Sequence, residues 1–109
     1  MNYNRVILAG RLTRDPETTD AGSSTITAFG LAVNRKYMVG DEQREEVLFV
    51  EVGFWGKRGK VIEQYLKKGD PIHIEGRLRF TSWDDGKGNT RTKITVIGES
   101  FEFMGGKNE

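Results

Sequence analysis

The stretch VLFVEVGFWG KRGKVIEQYLKK GDPIHIEGRLR, residues Val47 to Arg79, decides the fold that the sequence predicts. Its first ten residues alternate with the two-residue period of a strand. The even-numbered residues from Leu48 to Phe54 form an apolar face, which we expect to point inward. The odd-numbered face carries two aromatic rings, Phe49 and Trp55, where an outward face is normally polar. This segment is therefore predicted to be a strand with an unusual outer surface.

A helix and a second strand follow. Residues 57–68 place an apolar stripe from Val61 to Leu66 on one side, as in an amphipathic helix. Gly69 is predicted to cap this helix, and Pro71 prevents its continuation. The strand that follows is predicted to turn Ile72, Ile74 and Leu78 inward and His73, Glu75, Arg77 and Arg79 outward.

Three more strands are predicted outside this unit. Arg5–Leu12 and Thr25–Asn34 precede it, and Thr92–Val96 follows it. Gly10 is expected to bend the first of them. Beyond Gly98 the inward set shifts to Phe101 and Phe103, with Ile94 and Val96 inward before it, as a bulge would produce.

The remaining segments are predicted to be connections. Glu17–Ser24 is small and polar and reads as a loop, and Lys36–Glu46 is a charged hairpin connection. Phe80–Asn89 is an extended hairpin arm. Five strands with one helix between the third and fourth predict an all-β barrel of the OB-fold type. A parallel α/β sheet would need more helices, and an immunoglobulin-like sandwich about seven strands.

Length and composition limit the possible functions. The 109 residues predict one domain over 1–105 and a short flexible end at 106–109. Without cysteine there is no disulfide, thiolate nucleophile or cysteine-bound zinc, and His73 is the one histidine. No signal peptide or membrane span is recognisable, so a cytoplasmic protein is predicted. No catalytic constellation is found, and neither a metal nor a cofactor is predicted.

Four aromatic residues are the best functional candidates. Aromatic rings stack on the exposed bases of single-stranded nucleic acid without reading sequence. Phe49 and Trp55 share the outward strand face, and Tyr37 and Trp83 lie in the hairpin arms that flank it. Trp55 could equally plug a barrel end and Phe49 could pack under a loop. The predicted phosphate-binding cations interleaved with these rings are Arg5, Arg35, Lys36, Lys57, Arg77, Arg79, Lys87 and Arg91.

Four motifs in order resemble those of the bacterial-type single-stranded DNA-binding protein family. They are VILAGRL with Asp15-Pro16-Glu17, then YLKKG at 65–69, IEGRLR at 74–79 with Trp83, and FMGG at 103–106. Together they span nearly the whole chain at the spacing of that family.

The resemblance implies an OB-fold homotetramer that wraps single-stranded DNA without strong sequence preference. It implies protection of DNA during replication, recombination and repair, without catalysis, in the cytoplasm and associated with the nucleoid. The family's stacking positions correspond to Tyr37, Phe49, Trp55 and Trp83, although many members have tryptophan at the first two and phenylalanine at the third. The family's phosphate-contacting cations correspond to Arg5, Lys57, Lys68 and Arg79.

The chain departs from the family at two places. Basic residues often found before the arm tryptophan are replaced here by Thr81 and Ser82. Family members usually continue into a flexible linker with an acidic tip that recruits other proteins. This sequence ends at Glu109 without one, as a trimmed DNA-binding core or a short paralogue would, so tail-mediated partners are not predicted.

Alternative functions remain open from the sequence. An RNA-binding or primosome-type OB module would use the same rings, and a protein-interaction OB domain would bury them against a partner. An enzyme is disfavoured by the missing catalytic groups. Separately, the first strand is apolar on both faces at Val6, Ile7 and Leu8, which predicts a homo-oligomer.

Overall fold

The computed structural model describes residues 1–104 and consists mostly of strands. The predicted flexible end at 106–109 lies outside the described residues. The elements, in chain order, are β1 Val6–Leu12, β2 Glu17–Ala21, β3 Ser24–Val39, β4 Glu42–Trp55, α1 Lys57–Tyr65, β5 Pro71–Asp84 and β6 Thr90–Phe103.

Five of the six strands close into a barrel. The order β1-β5-β6-β4-β3 is completed when β1 pairs with β3 through Arg11–Ala32 and Leu12–Leu31. β4 and β6 are parallel at Val52–Val96, and the other neighbours are antiparallel. Helix α1 lies between the third and fourth barrel strands, as predicted. The OB-fold prediction is therefore confirmed.

The predicted loop at Glu17–Ser24 is wrong. Its first five residues form β2, which pairs along its whole length with β3 and occupies the edge of the sheet. The Thr18 hydroxyl donates to Glu63 of α1 at 2.8 Å and lies 2.6 Å from the hydroxyl of buried Thr27. These contacts hold a polar segment as a strand although it lacks an apolar face of its own.

Both predicted hairpin connections are longer paired ribbons than expected. β3 and β4 pair as far as Val39 and Glu42, so only Gly40 and Asp41 remain in the turn. Gly40 adopts a φ of 61°, which glycine tolerates without a Cβ penalty. β5 and β6 pair out to Asp84 and Thr90. The two ribbons project from the barrel as arms.

Helix α1 ends three residues earlier than predicted. Leu66 is extended (φ −121°, ψ 149°) and packs into the core, which stops the helix after Tyr65. Gly69 is therefore not the helix cap: it lies in the following turn, where its N–H donates to the Leu12 carbonyl at 2.8 Å. The prediction of Pro71 as a stop is consistent with its place at the start of β5.

The core confirms most of the inward faces within the barrel but not those in the arms, and Phe103, predicted to point inward, is 43% exposed at the end of β6. Phe54 and Val52 of β4 are completely buried, together with Ile72 and Ile74 of β5. The other core residues are Leu12, Phe29, Leu31, Ile62, Leu66 and Val96. Leu48, Leu78 and Ile94, predicted to point inward, are 48%, 45% and 57% exposed because they lie in the arms, beyond the barrel.

The two expected irregularities have different outcomes. Gly10 does not bend β1, which pairs without interruption across it. A Cβ at this position would collide with the Ala32 carbonyl, so the glycine allows β1 to cross closely over β3. The bulge near Gly98 is present: Glu75 lies opposite Ser100 while Gly76 lies opposite Gly98.

Candidate nucleic-acid interface

The outer face of β4 presents two aromatic rings to solvent. Phe49 is 69% exposed and Trp55 is 43% exposed, whereas Val52 and Phe54 on the opposite face are completely buried. This difference follows from the strand period, because successive side chains leave a strand on opposite sides. Neither ring is part of the barrel core.

The two arm aromatics lie on different faces. Strand pairing places Gly53 of β4 beside Ile97 of β6, and Ile97 opposite Arg77 of β5. Trp83 is an even number of residues beyond Arg77, so it lies on the same outer face as Phe49 and Trp55. Tyr37 lies on the opposite face. Ala32 pairs with Phe49 and shares its face, and Tyr37 is an odd number of residues, five, beyond Ala32.

Tyr37 nevertheless lies in an exposed arm, as predicted. It is opposite Arg44 on the second face of the β3–β4 ribbon, and the Arg35 guanidinium carbon lies 5.2 Å from its ring centre. This distance is that of a cation–π contact. The structure thus brings three of the four predicted rings onto one face and leaves Tyr37 on the reverse of the same ribbon.

Cations line the outer face of the β5–β6 arm. Arg77, Arg79 and Arg91 share it with Trp83 by strand alternation. Arg77 pairs with Glu99 at 3.2 Å and Arg91 pairs with Asp85 at 3.2 Å. Arg79 forms no ion pair with any residue in the range 1–104 and is exposed. Arg79 can therefore bind an anion without first losing an internal ion pair.

The remaining predicted cations are more scattered. Arg5 precedes β1 and pairs with Glu75 and, at 3.7 Å, with Glu99. Arg35 pairs with Glu46 at 3.4 Å in the β3–β4 arm. The other four are exposed at different places: Lys36 in the β3–β4 arm, Lys57 at the start of α1, Lys68 in the loop after it, and Lys87 in the β5–β6 turn.

Three charged residues near Phe49 were not among the predicted site residues. Glu51 is next to Phe49 on the outer face of β4, and Lys93 of β6 pairs with it at 3.1 Å. Arg14 approaches the same carboxylate at 3.9 Å. The alternation of β6 could have identified Lys93, since Ile94 and Val96 point to the other face. Arg14 follows a strand without any sequence signal and reaches the site only through barrel closure.

The turn of the β5–β6 arm contains a carboxylate, Asp85, that its neighbours stabilise in the ionised form. Asp85 accepts hydrogen bonds from the backbone N–H of Lys87 at 2.8 Å and from the Arg91 side chain at 3.2 Å. The Lys87 bond, helped by Arg91 and Asn89, holds the pKa of the Asp85 carboxyl below its ordinary value. The ionised carboxylate therefore orders the tip of the arm that carries Trp83.

Two of the cavities that border the described part of the barrel lie near predicted site residues. The first, about 210 Å³, lies beside Phe49 and is lined by Thr13, Arg14, Gly30, Leu31, Val50 and Glu51. The second, about 310 Å³, lies between the β2–β3 turn and the start of α1 and includes Lys57 and Lys60.

His73 is half-buried on β5, opposite Ala9 and Glu102.

Two negative findings apply to the described part of the chain. No group of three or more histidine, aspartate and glutamate side chains is placed to hold a metal ion. No helix among residues 1–104 is long and apolar enough to cross a membrane.

Comparison with known proteins gives consistent matches. The profile of the single-strand binding protein family matches residues 3–104. Single-stranded DNA-binding proteins of Wolinella succinogenes and Helicobacter hepaticus are 44% and 43% identical over 96% of this chain, and that of Treponema pallidum is 40% identical over 95%. The chain spans 66%, 63% and 59% of the lengths of these three relatives.

A solved structure shares the fold. A Plasmodium falciparum SSB complex with single-stranded DNA superposes with a TM-score of 0.87, covering 95% of this chain and 97% of the other. The sequence identity is 19%, so this similarity concerns the fold alone.

Proposed function

This chain belongs to the single-strand binding protein family, and we propose that it binds single-stranded DNA without strong sequence preference. The observation that carries the proposal is the outer face itself, where Phe49, Trp55 and Trp83 are exposed beside Arg77 and Arg79. Trp55 and Trp83 are partly covered by the protein, and the exposed part of each ring is available to stack on a base. The family is one of non-enzymatic DNA-binding proteins, which agrees with the prediction that the chain is not an enzyme.

The proposed mechanism combines stacking with charge neutralisation. Each base that stacks on an exposed ring contributes about 1–3 kcal/mol, whichever base it is. Arg79 and the other cations neutralise phosphates and release condensed counterions, so the affinity falls as salt rises. Tyr37 is proposed to add a stacking position for DNA that passes around the edge of the β3–β4 arm to its reverse face.

Assembly into a homotetramer is proposed on the basis of the uncovered apolar surface. The β5–β6 arm has its cations on one face, while Leu78, Phe80 and Ile94 lie on the other and are 45%, 66% and 57% exposed. Ile7 of β1 is also exposed, at 57%. Exposed apolar surface of this extent marks contact sites between proteins. A mass in solution about four times the 12.3 kDa of one chain is expected, and Phe80→Glu is expected to reduce it.

The biological role follows from this activity. We propose that the protein protects single-stranded DNA during replication, recombination and repair, in the cytoplasm and associated with the nucleoid. The relatives' names support the DNA target. An RNA target uses the same rings, so preference for DNA over RNA of equal composition is part of the test.

The test is a titration of tryptophan fluorescence with oligo-dT at several salt concentrations, with duplex DNA and oligo-U as competitors. Trp55 and Trp83 are the two tryptophans of the chain. We expect strong quenching by the single strand, weaker binding as salt rises, and little effect of the duplex. A folded protein whose fluorescence does not respond to oligo-dT would contradict the proposal and favour a protein-interaction domain.

A further inference from the structure

A carboxylate lies directly beside one of the rings of the proposed DNA face. Glu51 is next to Phe49 on the outer side of β4 and lines the 210 Å³ cavity beside that ring. An acid repels the phosphates of a bound strand, so Glu51 is not itself a phosphate-binding residue.

Two cations hold this carboxylate in a defined position. Its Oε1 lies 3.1 Å from Lys93 Nζ, a hydrogen-bonded ion pair between β4 and β6. Its Oε2 lies 3.9 Å from Arg14 Nη2, which is beyond hydrogen-bond distance. Within residues 1–104, Oε2 has no hydrogen-bond donor, so one acceptor oxygen remains free at the edge of the cavity.

Backbone contacts place Arg14 beside the cavity. Thr13 N–H donates to the Gly30 carbonyl at 2.9 Å, which brings the segment after β1 over β3. A Cβ at Gly30 would collide with the Thr13 hydroxyl and press on the Arg14 guanidinium at 3.1 Å. Glycine at position 30 therefore lets Arg14 lie across β3 towards Glu51.

We propose that Glu51 accepts hydrogen bonds from the Watson–Crick edge of a base stacked on Phe49, and that this subsite prefers guanine. The inference rests on the proposed function. Residues two apart on a strand are about 6.7 Å apart on the same face, so the edge of a base stacked on residue 49 is within reach of the side chain at residue 51. Guanine alone offers two adjacent donors: N1–H can donate to the free Oε2, and N2–H₂ can donate to the lone pair of Oε1 that Lys93 does not use.

Arg14 and the second oxygen of Glu51 should also favour guanine over thymine. The Arg14 guanidinium can donate to guanine O6, which is on the same edge as N1–H. Thymine has a single N3–H between two carbonyl oxygens, and these oxygens are repelled by the second carboxylate oxygen. A bidentate pair of this kind typically discriminates the right base from a wrong one by about 5- to 150-fold in affinity. Because the Glu51 side chain is 37% exposed, we expect the lower value, which is an affinity ratio of about 5-fold.

The experiment compares three oligonucleotides that differ at every third position. That position is dG, deoxyinosine or dT, all others are dT, and lithium buffer prevents quadruplexes. Deoxyinosine keeps N1–H and O6 but lacks the N2 amino group. We expect the wild-type protein to bind the dG oligonucleotide about 5-fold more tightly than either of the others, and Glu51→Gln to bring these affinity ratios close to one.

The matched control is Glu102→Gln. It removes the same charge from an exposed position on β6 at the other end of the barrel and should leave the ratios unchanged. Ratios near one in the wild-type protein would overturn the proposal, as would ratios that survive Glu51→Gln or are abolished by Glu102→Gln. Failure of all three oligonucleotides to bind wild-type protein would instead refute the proposed function itself.

Discussion

Replacing Phe49 by alanine should separate DNA binding from folding. The side chain is 69% exposed, so about a third of its surface is covered by the protein. A buried phenylalanine covers roughly 150–250 Å², so this share is about 50–80 Å² and at about 25 cal/mol/Å² is worth at most about 1–2 kcal/mol of folding free energy. Loss of one stacked base costs about 1–3 kcal/mol of binding free energy, or roughly 5- to 150-fold in affinity.

Phe54 on the same strand provides the matched comparison. It is completely buried, stacks 6.4 Å from Phe29 and makes an edge contact with Phe101 at 5.6 Å. Phe54→Ala removes these contacts and leaves a cavity, with an expected loss of about 3–5 kcal/mol of unfolding free energy. The two substitutions are chemically identical and differ only in the face of β4 that they alter.

The assay combines thermal or urea unfolding with fluorescence titration by a short oligo-dT, and Trp55 and Trp83 report binding in both variants. Phe49→Ala is expected to lose affinity and keep most of its stability. Phe54→Ala is expected to lose stability, and to bind normally in whatever fraction remains folded. A Phe49→Ala protein with wild-type affinity would refute the stacking argument, and so would a Phe54→Ala protein that melts normally but binds weakly.

Three further predictions concern charge and polar contacts. Arg79→Gln should reduce the slope of log affinity against log salt by about 0.7, the value for one phosphate of a single strand, whereas Arg58→Gln on α1 should leave the slope unchanged. Thr27→Val removes the buried partner of the Thr18 hydroxyl and should lower the unfolding free energy by about 1–2 kcal/mol, measured by urea titration, without changing DNA affinity. The lowered pKa of Asp85 means that its contribution to the arm is present above the unfolded-state pKa and is lost as pH falls through the lower folded-state pKa. The protection factor of the Lys87 amide, which compares its exchange rate with the intrinsic rate at the same pH, should therefore fall in acid, and Asp85→Asn should abolish this pH dependence.

Strand alternation made much of the interface predictable from sequence. The exposure of Phe49 and the burial of Phe54 both follow from the period of one strand. Alternation assigns a side chain to a face, but it does not tell whether that face is covered. For this reason Leu48 and Leu78 were predicted to be buried, although their part of the face extends past the barrel and is open to solvent.

Long-range pairing explains what the sequence could not show. β2 has no apolar face, and its strand conformation depends on pairing with β3 and on the Thr18 hydroxyl bond to Glu63 of α1. Arg14 reaches Glu51 only because closure of β1 on β3 carries it across Gly30. Neither contact leaves a periodic trace in the local sequence, so neither could be derived from it.

The bulge at Glu99 allows odd-numbered residues of β6 to face inward on one side of it and even-numbered residues on the other. Near the barrel base, odd-numbered Phe101 and Phe103 pair with the inward residues of β5, whereas beyond the bulge even-numbered Val96 takes the inward side. Without the extra residue, one of these sets would have to face outward, because a one-residue shift reverses every side chain of a strand. With Val96 inward, Lys93 points outward towards Glu51. The bulge thus lets a single strand pack Phe101 against the core at one end and supply charge to the proposed DNA face at the other.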